Sequence, residues 1–546
     1  MTDLAGPGEQ GGCCGVSACC TDAEQALDPT VTVTQAKTDA GCGCVEDAAP
    51  GDDPPVVVIG AGPVGLAAAA HLAERGLDFL VLEAGETVGA AVADWGHVRL
   101  FSPWRYDVDA AARRLLEAEG WDAPSPELLP TGADLVREYL APLAAVPALS
   151  GRVRTGARVL AVTRQGVDVT RTIGRDERPL LVRVRHADGT VQDVAARAVI
   201  DASGTWGRRN PLGHSGLPAP GEHEAAPRIT GPLPDVLGRD RDRFAGKHTL
   251  VVGMGHSAAN TLLALAELAV QEPRTRITWA VRGTSVARLY GGGEADGLPA
   301  RGALGTRLKA AVDSGEINLV RSFTITGFTN AADSVHVTGS TPDGVRTLAA
   351  DLVVAATGFR PDLAMLREVR VSLDPATEAP TGIAKMIDPN LHSCGTVPPH
   401  GERDLIQPEK SFYIVGMKSY GRAPTFLLAT GYEQVRSIAA ALANDREAAD
   451  TIHLNLPKTG ICSTTPAPET PLPDTKPDSE PSRALEPGHK TSGTPEPDHD
   501  TPHAPEPSAE AARCCGSTPQ PVTIGASTGR GFATGRAHGY SGDAES

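Results

Sequence analysis

From residue 45 to residue 393 the chain contains no cysteine. That gap excludes disulfides and any redox-active cysteine pair from the middle of the protein. No basic start is followed by an apolar run, so no secretory signal is expected. The most apolar stretches are interrupted by glycine loops and charged residues, so no membrane span or membrane partner is expected. The chain is read as cytoplasmic, a compartment in which its ten cysteines do not form structural disulfides. Basic residues are outnumbered, 50 Lys and Arg against 67 Asp and Glu; the net charge of −17 argues against a nucleic-acid partner. The excess acid sits near the ends. Residues 1–55 hold ten acids and one basic residue, Lys37, and residues 463–510 hold ten acids and three bases. The stretch between them is close to neutral, so the acidity says nothing about a substrate. No histidine and cysteine spacing fits zinc, and no metal is predicted.

The composition divides the chain. Residues 1–52 are rich in Gly, Ala, Asp and Cys without periodicity, and a disordered tail is predicted there. Twelve prolines among Thr, Ser, Glu and Asp in 463–510 predict a second disordered, Pro-rich tail over 456–546. Between the tails, short β-branched runs alternate with helical segments, which predicts α/β layers around parallel sheets.

Two loops carry the chemistry. In VVVIGAGPVGLAAAA (56–70) a buried-strand run leads into Gly60, Gly62 and Gly65 at G-x-G-x-x-G spacing, then a helix, then a strand 79–82 ending at Glu83. Gly60 permits the tight turn, Gly62 lets a pyrophosphate approach the backbone, and Gly65 lets helix and strand pack closely. The helix N-terminus offers free N–H groups, and Glu83 is placed to accept hydrogen bonds from a ribose. The layout returns in TLVVGMGHSAAN (249–260), with Gly253, Gly255 and, in third place, Ala258. Here the second strand ends in Arg282, a guanidinium suited to a 2′-phosphate, with Arg288 a second candidate. An ordinary solvated charge is the other reading of Arg282. One loop therefore suits FAD and the other NADPH, a pair that passes hydride from nicotinamide to flavin.

With both loops in hand, the sequence resembles the two-dinucleotide-binding flavoproteins, and within them the flavin-dependent monooxygenase branch, over roughly 54–455. AVIDASGTW (198–206) resembles the turn closing the first FAD half, with Ala202, Ser203 and Gly204 in its small-residue positions. DLVVAATGFRPD (351–362) resembles the return from the NADPH domain, with Ala356, Thr357 and Gly358. FYIVGMKSYGRAPTFLLATGYEQ (412–434) resembles the last FAD strand, its loop at Gly416 and Met417, and a helix pointing at the flavin ring. Val159 resembles the residue whose backbone meets adenine, and Ser257 one that lies near the second pyrophosphate. Lys418, Tyr420 and His97 are placed near the flavin by the same likeness. Two departures stand out: RITGPLPDVLGRD (228–240) replaces the branch's F-x-G-x-x-x-H signature, and Met417 replaces the usual Asp. A narrower likeness, to flavoproteins of actinobacterial arsenic-resistance operons, is carried by GHVRLFSPWRY (96–106), NLHSCGTVPPHG (390–401) and PKTGICST (457–464).

The resemblance implies two nested Rossmann-like domains. The FAD domain comes in two segments, 53–240 and 351–455, and the NADPH domain is inserted between them over 241–350. The resemblance also implies a monooxygenase that takes O2 and a small-molecule soft nucleophile (trivalent arsenic, sulfur or nitrogen) through a C4a-hydroperoxyflavin. Two alternatives stay open. One is an NADPH-dependent thiol or disulfide reductase using tail cysteines such as Cys514 and Cys515. The other is a metalloid-binding protein on an inactive flavoprotein scaffold. Cys13, Cys14, Cys19, Cys20, Cys42, Cys44, Cys514 and Cys515 either capture As(III) or are incidental. Cys394, beside His392 and near His400, is either a substrate-thiolate site or a buried structural thiol.

Overall fold

The structure is a computed structural model that describes residues 53–454, apart from 292, 294, 295, 297, 389–396 and 424–425. The tails expected at 1–52 and 456–546, the tail cysteines, and Cys394 with His392 all lie outside the described residues. No helix among the described residues is long and apolar enough to cross a membrane.

The runs VVVI (Val56–Ile59) and FLVL (Phe79–Leu82) are buried at every position. Continuous apolar runs of this length suit parallel strands covered on both faces. They pair in parallel, Val56 opposite Phe79, and on its other side Val56–Ile59 pairs in parallel with Ala198–Asp201. Val153–Arg154 adds one edge, and Phe412–Ile414, from far along the chain, adds the other. A second five-stranded parallel sheet runs Asn318–Val320, Arg276–Ala280, His248–Val252, Leu352–Ala355, Ile229–Thr230. Each sheet is accompanied by a three-stranded antiparallel meander, starting at Ala157–Arg164 in the first unit and at Thr324–Asn330 in the second. The chain leaves the first sheet after Ala198–Asp201, builds the second, and returns for Phe412–Ile414. The fold is two nested Rossmann-like α/β units.

The second unit is wider than the expected 241–350. Its edge strand Ile229–Thr230 precedes that span, and Leu352–Ala355 follows it. A two-residue edge strand has no periodicity to read, and the closing strand runs on directly from the meander strand Gly344–Ala350.

Small residues set the spacing around the first loop. The helix Pro63–Glu74 is alanine-rich and buried from Val64 to Leu72. The helix Leu428–Leu442 packs on it so closely that a Cβ at Gly431 would meet Val64 Cγ2 at 2.6 Å. The outgoing and returning connections between the units pair with each other. Asn210 N donates to Gly358 O and Arg360 N to Arg208 O, each at 3.0 Å. The rings of Trp206 and Phe359 lie 5.0 Å apart beside them.

Candidate functional site

At Gly60 φ is +98°, and a Cβ there would meet the Ala202 carbonyl oxygen at 2.8 Å. A Cβ at Gly65 would lie 1.9 Å from Gly60 O, so helix and strand touch at this point. At Gly62 nothing lies within 4 Å of the same position. The helix then begins with Pro63, and no side chain caps it. An uncapped helix N-terminus with open backbone in front of it is an anion cradle. Glu83 braces the cradle: its Oε2 accepts the Ala61 N–H at 2.7 Å and its Oε1 accepts the Gly85 N–H at 2.8 Å. Each carboxylate oxygen keeps a further lone pair for a ribose hydroxyl.

Gly60, Gly62, Glu83, Val159, Ala202, Ser203, Gly204, Gly416 and Met417 line one cavity of about 470 Å³. Gly65 lies behind it, in the packing role. These residues fit a dinucleotide: open backbone at the helix start, an acid at the second strand end, and an apolar rim that includes Phe426, Leu428 and Trp206.

Lys418 lines the cavity and is 1 % exposed, with Nζ 2.6 Å from Asp201 Oδ2 and 3.0 Å from Ser203 Oγ. Asp201 Oδ1 in turn accepts from Ser203 N and Ser203 Oγ. Ser203 also lines the cavity, while Asp201 is buried behind the two. The Gly416 N–H does not face the cavity as a free donor, because it donates to Gln434 Oε1 at 2.8 Å. Gln434 also donates to His400 Nε2 and Ser419 Oγ, so it locks the turn Gly416–Tyr420. His400, whose Nδ1 lies 3.0 Å from Pro398 O, is held neutral as burial lowers its pKa. Tyr420 is packed between His400 and Phe426, and burial pushes its phenol well above the usual value. His97 is exposed, faces Asp235 and Arg239, and does not line the cavity.

The second loop repeats the cradle. Gly253 has φ +132°, and a Cβ there would meet Ala356 O at 2.0 Å; at Gly255 the space is open. The helix His256–Gln271 starts uncapped, with Ser257 in its first turn and Ala258 fully buried. Thr357 Oγ donates to Asn210 O at 2.7 Å, and Gly358 turns at φ +80°. Arg282 follows the strand Arg276–Ala280 and is exposed, as is Arg288; among the described residues no acid pairs with either. The His256 ring lies 5.1 Å from Phe101 of the first unit. Burial, aided by Arg301, pushes His256 down to about 4, so it meets the loop as neutral imidazole.

Sequence reasoning missed Asp201 and Gln434. Asp201 ends a strand already assigned to the fold, and an acid immediately before ASG was the available signal. Nothing in the sequence marks Gln434.

Residues 55–138 match the family described as FAD dependent oxidoreductase. The matched stretch contains the first glycine loop, Glu83 and the strip up to Glu138. A ferredoxin–NADP reductase from Cupriavidus pinatubonensis is 28% identical over 308 residues, 56% of this chain and 70% of its own. Among solved structures, a bacillithiol disulfide reductase from Bacillus cereus aligns with TM-score 0.52 and 20% identity, over 72% of this chain and 99% of its own. A cadaverine monooxygenase of desferrioxamine biosynthesis from Erwinia amylovora aligns with TM-score 0.52 and 14% identity, over 74% and 97%. Both likenesses establish the fold alone.

Proposed function

We propose that the protein is a FAD enzyme reduced by NADPH that transfers one oxygen atom of O2 to a soft nucleophile. The observation that carries this reading is the thiol-free cavity beside the first cradle: no cysteine occurs among the described residues, so the acceptor of electrons is not a thiol pair in the core. The likeness to a ferredoxin–NADP reductase supports NADP(H) as the partner of the second loop.

In this reading the uncapped helix at Pro63 holds the FAD pyrophosphate, Glu83 holds a ribose and the Val159 backbone meets adenine. Bound flavin supplies the hydride acceptance and oxygen chemistry. The Lys418–Asp201–Ser203 hydrogen bonds fix the cavity wall beside Gly60, and Phe426, Leu428 and Trp206 exclude water from the cavity. Gly255 and the helix start at His256 hold the NADPH pyrophosphate, with Arg282 on the 2′-phosphate and Arg288 next to it. Sulfides, amines and trivalent arsenicals are the soft nucleophiles to offer.

The test is rapid mixing of the NADPH-reduced protein with oxygen while the flavin spectrum is followed. A transient band between the reduced and oxidised spectra is expected, with a lifetime shortened by the right nucleophile. Reoxidation in one step would sink the oxygenase reading. It would favour a reductase that uses cysteines outside the described residues.

A further inference from the structure

Asp107 ends the short helix Trp104–Asp107 and is 0 % exposed. Ser102 Oγ donates to its Oδ1 at 2.6 Å, while its Oδ2 has no hydrogen-bond partner. A buried carboxyl oxygen without a partner is costly to keep ionised. The carboxyl lines a void of about 10 Å³, together with Ser102 and Tyr106 of its own segment, Leu298 of the inserted unit, and Leu427, Leu428 and Ala429 at the start of the last long helix. Such a void has room for about one water-sized group. Leu428 also lines the 470 Å³ cavity, so the two spaces share a wall.

Among the described residues, none offers the carboxylate a counter-charge. Tyr432, on the helix Leu428–Leu442, donates to the Asp107 backbone carbonyl at 2.7 Å, not to its side chain. Tyr139 is hydrogen-bonded to Tyr432, and burial holds both phenols neutral. Asp109 is committed to the Ala111 and Ala112 N–H groups and to His71. Among the described residues, the inserted unit presents only Leu298 to the void. Among the described residues no cation pairs with Asp107. Burial pushes its carboxyl up to about 7, against the opposing pull of the Ser102 hydrogen bond.

We propose that Asp107 stores the proton consumed in the oxidative half of the reaction, with Ser102 holding Oδ1 so that Oδ2 carries the proton beside the shared Leu428 wall. The proposal rests on flavin being reduced in the larger cavity, but not on the identity of the acceptor. NADPH gives up a hydride, which is two electrons and one proton. Oxygen transfer yields oxidised substrate and one water, and forming that water takes one further proton. Reduction of a disulfide to two thiols, or of O2 to hydrogen peroxide, takes the same further proton. Oδ2 releases it, the carboxylate regains one on Oδ1 from solvent through the partly exposed Ser102 hydroxyl, and rotation of the carboxyl restores the protonated Oδ2.

The test compares the full flavin-loaded chain with Asp107→Asn. Infrared difference spectra across neutral pH are expected to show a protonated-carboxyl band that fades with a midpoint near 7 and is missing in the variant. Reoxidation of the NADPH-reduced protein by oxygen should slow as pH rises through that midpoint. In Asp107→Asn it should be about a hundredfold slower and independent of pH there. Anaerobic reduction by NADPH should stay within about twofold, which checks folding and cofactor binding. Ser102→Ala keeps the carboxyl but removes the hydrogen bond that lowers its pKa, so the infrared midpoint should rise; it serves alone if Asp107→Asn does not fold. Normal reduction without the band, or with an unchanged pH profile in Asp107→Asn, overturns the proton store alone. A chain that takes up no flavin overturns the flavin reading and the proton store together.

Discussion

Lys418 Nζ lies 2.6 Å from Asp201 Oδ2, and neither side chain touches solvent. The two residues are 217 positions apart, one after the last strand of the first sheet and one at the end of its neighbour. Removing one partner of such a pair leaves a buried charge uncompensated, at about 3–5 kcal/mol. Lys418→Met is therefore expected to lower the stability of the flavin-loaded chain by about that much. Lys418→Met with Asp201→Asn should recover more than half of the loss. Denaturant titration of the three proteins measures it, and a single variant as stable as the wild type would remove the pair from the account.

Glu83 fastens Ala61 and Gly85 as well as facing the cavity. Glu83→Ala releases the loop and removes the proposed ribose acceptor. Hydrogen bonds to a charged group contribute about 1.5–3 kcal/mol, so FAD affinity should fall roughly 10- to 100-fold. Equilibrium dialysis of flavin against the purified variant reads this directly, and unchanged retention would argue that the acid only braces the loop.

Arg282 is exposed with no acidic partner among the described residues. Arg282→Glu should reduce kcat/KM for NADPH roughly 10- to 100-fold, the size expected for charge-assisted hydrogen bonds to a phosphate. NADH, which lacks the 2′-phosphate, should change by less than about threefold. Equal loss with both cofactors would assign the phosphate elsewhere, with Arg288 next to be replaced.

Glu409 is buried between Arg164 and Arg175, whose guanidinium groups reach it at 2.7 and 2.9 Å. Burial alone would raise its pKa, but Arg175 and Arg164 outweigh burial and hold it below the ordinary carboxylate value. A folded pKa below the unfolded one, about 4.3, gives stability that is present above that value and lost as pH falls toward the folded one. Urea midpoints should therefore drop on acidification from neutral pH through about pH 4. In Glu409→Gln the unfolding free energy at neutral pH should already be lower by about 3–5 kcal/mol, and this part of the acid dependence should vanish.

Both cradles can be read from sequence because backbone geometry leaves little choice there. Gly60 and Gly253 take positive φ and are pressed by the carbonyls of Ala202 and Ala356, so each glycine and its closing turn announce each other. The alternation of apolar runs and helices likewise reveals two parallel sheets. Lys418 is harder, since a lysine between Met417 and Ser419 in a loop reads as solvated until the distant Asp201 is brought beneath it. Asp107 is harder still: in WRYDVD it looks like one more surface acid, and only packing against Leu298 and Leu428 removes its water. The edge strand Ile229–Thr230 is too short to show any period, which is why the inserted unit begins earlier than its sequence pattern suggests.

The hydrogen bonds between Asn210 and Gly358, and between Arg360 and Arg208, make the two crossings into the inserted unit a single ribbon. A change at either crossing is therefore felt at the other, and the Phe101–His256 ring contact fastens the inserted unit a second time, away from the ribbon.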